Sequence, residues 1–237
     1  MKTRRSRSTV LVTAAALLWG LGLPSGATAN EAKDCRKSTF PATGQTTPYT
    51  ADTLTGFARP VPDDGTVRAG GPLRYRDNGD GTITDLNTRL MWEKKSIDGS
   101  LHDVNLTPPW SAVGQMTIWD WLAAINTEGG TGFAGHSDWR IPNVKGLQSL
   151  VDYSVVNSSG ADSGPDAASV APIFNMPGMF NGCTLRECSV TSASAYVSST
   201  HTGAGIVNVT FSSTRSGMTS FGGDVTHVRA VRGGCVD

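Results

Sequence analysis

Residues 135–153, GHSDWRIPNVKGLQSLVDY, constrain the fold of this 237-residue chain more than any other stretch. Asp138, Trp139, Arg140 and Ile141 predict a short strand. Pro142 lacks an N–H and biases Ile141 toward extended geometry, so the strand must stop there. Asn143 is a natural N-cap, with a side-chain oxygen free to accept from the first unpaired N–H groups of a helix. Val144, Leu147, Leu150 and Val151 then recur at three- and four-residue spacing, which lines one helix face. Strand, stop and helix inside nineteen residues call for a domain that mixes both kinds of structure.

The rest of the chain supplies the partners. Leu73, Arg74, Tyr75 and Arg76 alternate, as do Thr82, Ile83, Thr84 and Asp85. Asp77-Asn78-Gly79-Asp80-Gly81 lies between them, and Asn-Gly supplies the positive φ values of a hairpin turn. A second turn at Asn87-Thr88 leads into a strand at Leu90-Met91-Trp92. Thr117, with Asp120 three residues on, resembles a capping box. Ile118, Trp121, Leu122 and Ile125 follow as an apolar helix stripe, which Gly129 and Gly130 end. Residues 195–200, 205–211 and 226–232 read as strands. Residues 96–115 and 157–194 are long polar segments, and loops of that length inside a domain carry function or lack order. Pro172-Ile173-Phe174 and Met179-Phe180 are expected to anchor the second. Two helices among mostly antiparallel strands make an α+β domain.

The first 29 residues are not expected to join the fold. Lys2, Arg4, Arg5 and Arg7 form a basic start, residues 10–23 an apolar core shorter than a membrane span, and Ala27-Thr28-Ala29 a small-x-small site. Cleavage after Ala29 would send the mature chain to the periplasm or the exterior, with no membrane span left. Residues 30–72 read as an irregular lead-in on which Leu54 and Phe57 could dock, and residues 73–234 as the domain. The leader takes four of the 20 basic residues and none of the 20 acidic ones, so the mature chain carries a net charge of −4. That balance, without a basic cluster, argues against nucleic acid as a partner. An exported chain with four cysteines suggests disulfides. Three pairings are open. Cys183 with Cys188 would pinch a short loop, and Cys35 with Cys235 would tie the two ends. The long loop would stabilise by about 5 kcal/mol on the chain-entropy model and the short one by about 2.

Candidate chemistry is sparse. Asp77, Asn78, Asp80 and Asp85 could offer oxygen ligands to calcium, but the spacing is not that of an EF-hand, and turn chemistry accounts for the same residues. No resident cofactor is expected otherwise. His102, His136, His201 and His227 are far apart in sequence and form no paired metal motif, so surface or hydrogen-bonding roles are expected. Ser137 sits outside any Gly-x-Ser-x-Gly elbow. Ser198 and His201 are strand neighbours, and closeness along a strand is poor evidence of a nucleophile and its base. Trp92, Trp119, Trp121 and Trp139 read as core. Trp110, between Pro109 and Ser111, is the tryptophan expected at the surface, where it could stack on a ligand.

Five ordered segments carry a resemblance: RDNGDGTITDLNTRLMWEKK (76–95), WDWLAAIN (119–126), GFAGHSDWRIPNVKGLQSLVDY (132–153), AYVSST (195–200) and HVRAVRGG (227–234). Together they resemble the Lcl C-terminal domain family. FPATGQTT (40–47) is similar to segments that precede this domain in relatives. The resemblance implies a C-type-lectin-like fold of small antiparallel sheets, two helices and long loops. It departs from the family pattern at Val197 and across Ile206-Val207-Asn208-Val209, where aromatics are expected. The Glu-Pro-Asn, Gln-Pro-Asp and Trp-Asn-Asp tripeptides of calcium-dependent sugar binding do not occur. The expectation is a non-catalytic recognition or adhesion domain that binds a glycan or surface protein through residues 96–115 and 157–194. The alternatives are an enzyme of the formylglycine-generating class, which would need a reactive free thiol, and a purely structural envelope protein.

Overall fold

Hairpin chemistry builds the first sheet. The computed structural model describes residues 39–46, 62–155, 168–176, 182–212, 219–221 and 226–234, with the backbone alone at 219–221. A single helical turn, α1 (Asp64–Val67), is capped by the Asp63 side chain. Strands β1 (Tyr75–Asp77) and β2 (Thr82–Asp85) pair antiparallel with Asp77 opposite Ile83. Between them Gly79 and Gly81 take φ of 76° and 94°, while Asn78 does not take the positive φ that a two-residue Asn-Gly turn requires, so the connection is longer than that turn. Strand β3 (Leu90–Glu93) pairs with β2, placing Trp92 against Ile83.

Helix α2 (Ile118–Thr127) opens with the full capping box between Thr117 and Asp120. It buries Ile118, Trp121 and Ile125, and Leu122 packs at the edge of the same cluster. Helix α3 (Val144–Gln148) starts where Asn143 accepts from the Gly146 N–H at 2.7 Å. It buries Leu147, while Leu150 and Val151 follow it into the core. Strands β4 (Ala195–Thr202), β5 (Gly205–Thr210) and β6 (Thr219–Phe221) form a second antiparallel sheet, and β7 (Val231–Gly233) completes the first in the order β1-β2-β3-β7. No helix among the described residues is long and apolar enough to cross a membrane.

Several expectations need correction. Residues 138–141 are extended but form no strand: Arg140 alone bridges Val231. The competing groups are visible. The Asn126 side chain takes the Trp139 N–H at 2.7 Å and gives its own N–H to the Trp139 carbonyl at 2.9 Å. Both ladder groups of Trp139 are thereby used by a helix side chain, and Pro142 has no N–H to offer, its carbonyl accepting from the Ser199 N–H of β4 at 2.8 Å. The expected strand at 226–232 is also shorter. Its first part pairs with β4 through His227, its last part with β3 through Val231, and the change of partner interrupts it. Strand β6 and helix α1 were not expected, because neither shows a periodic apolar pattern.

Parts of the segments expected to stand out as polar loops are interior. Ala168, Val170, Phe174, Val190 and Thr191 are buried, and so are His102, Asp103 and Val104. Pro172-Ile173-Phe174 is the anchor the sequence suggests, with Phe174 edge-on to Tyr75 at 5.0 Å. Met179, Phe180, Leu54 and Phe57 lie outside the described residues. The lead-in is tied on through backbone bonds, Thr39 to Asn87 and Tyr153 to Thr43 among them.

Both sheets lie between two apolar clusters. Tyr196 and Trp92 point into one with Leu147 and Phe174, and Val197 and Met91 point into the other with Trp121 and Trp139. Successive strand residues face opposite sides, so one strand serves both. The Cys183–Cys188 disulfide anchors a third, small cluster with Val104 and Val190. Cys35 and Cys235 lie outside the described residues. Leu147 has no exposed surface. Leu147→Ala should therefore lower the unfolding free energy by about 2–5 kcal/mol, and Asn143→Ala by about 1, both read from urea midpoints.

Candidate functional site

The acidic residues of the hairpin are where the sequence places them and are committed to the turn. Asp77 accepts from the Gly79 N–H at 2.9 Å and from Lys94 Nζ at 2.9 Å. Burial works against its charge, but Lys94 and Gly79 outweigh burial and hold its carboxyl below the usual range. Asp80 accepts from the Thr82 N–H and hydroxyl, and Asp85 from the Asn87 N–H and the Thr88 hydroxyl. Asn78 gives its amide to Thr82 and Thr84. Among the described residues no group of three or more His, Cys, Asp or Glu is placed to hold a metal ion.

A charged cluster that sequence reasoning missed lies in the interior. Glu93, at the end of β3, has a side chain with no exposed surface. Its Oε1 accepts from Lys95 Nζ at 3.0 Å and faces His102 Nδ1 at 2.8 Å, while Oε2 accepts from the Ala230 N–H at 2.7 Å. Burial disfavours the Glu93 charge, but Lys95 and His102 overcome it and keep the carboxyl below the usual glutamate value. Lys95 Nζ also lies over the Trp121 ring, 5.1 Å from its centre. Arg229, also buried, donates to the Val190 carbonyl at 2.7 Å and the Thr191 hydroxyl at 2.9 Å. Its guanidinium lies 5.5 Å from the centre of the Phe174 ring. One signal was available: Glu93 and Lys95 stand two apart, hence on one face, and carry opposite signs.

The other histidines stay apart. His227 Nδ1 donates to the Val104 carbonyl at 2.8 Å, and His201 is exposed. Ser198 is buried and donates to the Val207 carbonyl at 2.6 Å, so Ser198 and His201 form no pair.

Tryptophan placement differs from expectation in an informative way. Trp92, Trp121 and Trp139 are core. Trp119 is 45 % exposed, and Trp110 is half-buried against it, edge to face with ring centres 4.8 Å apart. Trp119 follows Ile118 by about 100° around the helix, so the face that buries Ile118 and Trp121 turns Trp119 outward. Met116 is 45 % exposed and Val113 fully exposed, which extends the ledge along the run into α2. Elsewhere, Thr43, Gln45, Asp64, Arg68 and Asp152 border a hollow of about 320 Å³. Thr43 donates to Asp64, and Arg68 to the Thr46 carbonyl.

Small antiparallel sheets, few helices and an aromatic ledge define an α+β domain of modest size. The chain belongs to the Lcl C-terminal domain family, whose model matches residues 81–232. No curated protein and no solved structure matches it.

Breaking a buried ion pair on one side leaves the other charge unpaired. Glu93→Ala is expected to cost about 3–5 kcal/mol of unfolding free energy for that reason. Asp138→Ala, which removes the exposed partner of Arg232, should cost about 1 kcal/mol or less. Chemical denaturation followed by circular dichroism compares the two.

Proposed function

We propose that this is an exported, non-catalytic recognition domain with a C-type-lectin-like arrangement. It binds a glycan or a protein at the cell surface. The leader that ends at Ala29 takes it to the periplasm or the exterior. The observation that carries this reading is the ledge of Trp119, Met116 and Val113, backed by Trp110. An indole left in water forgoes burial, and exposed apolar surface of this kind marks contact sites. A flat ring suits the apolar face of a sugar or a side chain at a protein interface. The contact surface is narrower than the two long segments suggest, because parts of both are buried. Binding through the ledge requires no resident metal.

A glycan array and a pull-down with the mature domain test this. Trp119→Ala should weaken binding at least about tenfold while the melting temperature holds. A wild-type domain that captures nothing in either assay would favour a structural envelope role. The enzymatic alternative needs a free thiol. Cys183 and Cys188 are joined, and we propose that Cys35 and Cys235 are joined as well. Thiol titration of denatured, unreduced protein should read zero; a reading of two would reopen the enzyme.

A further inference from the structure

His102 sits between two carboxylates. Its Nδ1 lies 2.8 Å from Glu93 Oε1 and its Nε2 lies 3.0 Å from Glu128 Oε2. Carboxylate oxygens accept and do not donate, and a neutral imidazole has one N–H. Only the imidazolium satisfies both contacts at once. The Phe133 ring, 4.2 Å away centre to centre, covers the imidazole.

The two contacts are unequal. The Glu93 side chain is fully buried and the Glu128 side chain is 40 % exposed. Glu93 cannot reach water to replace a lost donor, whereas Glu128 can. Glu128 also stands at the end of α2, where Gly129 and Gly130 follow with positive φ. We infer that His102 is a pH-operated latch: as the imidazolium it joins Glu93 of β3 to Glu128, the residue that follows α2, and on losing its Nε2 proton it keeps Glu93 and releases Glu128 to solvent.

The surrounding charges agree with this. Lys95 shares Glu93 Oε1 and fixes that carboxylate in its ionised form. Asp103, beside His102, spends its oxygens on the Gly99 and Asn105 N–H groups. Arg229 faces Val190 and Thr191, and His227 faces Val104, so neither competes for the ring. Burial disfavours the His102 charge, but Glu93 and Glu128 together raise its pKa above the ordinary value. A raised folded value means the latch stabilises fully below the unfolded pKa of about 6.5 and is lost as pH rises through the folded one. The Trp121 indole to the Leu101 carbonyl (2.8 Å) and the Ile118 N–H to the Pro109 carbonyl (2.9 Å) survive the change. Helix α2 therefore stays docked, and what opens is the Nε2 edge of a ring oriented by Glu93.

The test reads the ring directly, with no ligand present. Nitrogen-detected NMR of the histidine rings is run from about pH 5.5 to 9 on wild type and Glu128→Gln, with amide exchange at residues 128–132 corrected for its intrinsic pH dependence. We expect a wild-type midpoint above about 6.5, with Nε2 losing the proton and Nδ1 keeping it. We expect Glu128→Gln to lower the proton affinity several-fold. Exchange at 128–132 should rise several-fold through the wild-type midpoint and be already raised in the variant at the acid end. A midpoint at or below 6.5, loss of the Nδ1 proton first, or exchange that ignores the titration would overturn the latch.

Discussion

A carboxylate with no access to water sits where the pieces of this domain meet. An unpaired buried charge costs several kcal/mol, so Glu93 dictates what surrounds it. It requires Lys95 in its own strand extension, His102 from the loop that follows, and the Ala230 N–H from the far end of the chain. Each partner then draws in an apolar neighbour. Lys95 lies over Trp121 of α2, His102 stacks near Phe133, and Arg229 next to Ala230 lies over Phe174. The carboxylate thus ties together elements more than one hundred residues apart, and through them the apolar clusters on both faces of the sheets.

Short strands make such ties necessary. The longest described strand has eight residues and most have three or four. Ladders that short leave many backbone groups to be satisfied by other means, and every buried one must be. Side chains take them: Asn126 both groups of Trp139, Asp85 the turn after β2, Thr191 the Phe174 carbonyl. The same economy explains why nominally polar segments sit inside. Residues 168–176 and 182–194 supply backbone partners to other elements, with the Ser169 N–H donating to the Phe211 carbonyl and the Val190 N–H to the Lys95 carbonyl. The Trp119 ledge stands out against this background, because here apolar surface is left uncovered beside a helix whose other face is fully packed.

Local rules were legible wherever a bond closes within a few residues. The hairpin, the Thr117–Asp120 capping box and the Asn143 cap stand as read, whereas α3 ends at Gln148 and leaves Leu150 and Val151, the second half of its expected stripe, beyond it. The Cys183–Cys188 bridge is also local, closing across five positions. Residues 138–141 and 226–230 were misread as strands because extended geometry was legible but the pairing partner was not. Trp119 was misread because its apolar neighbours are on the stripe and it is one step off it.

Local spacing alone determined that this chain mixes a hairpin, two capped helices and later strands, since caps, turns and periodic apolar faces act over three or four residues. Tertiary structure alone decided which polar groups go inside. Glu93, Lys95, His102 and Arg229 look like surface residues one at a time. Their burial is tolerable because folding adds to the local charge pairs the Ala230 N–H and the Trp121 and Phe174 rings, all within about 6 Å, a proximity that no short window along the chain contains.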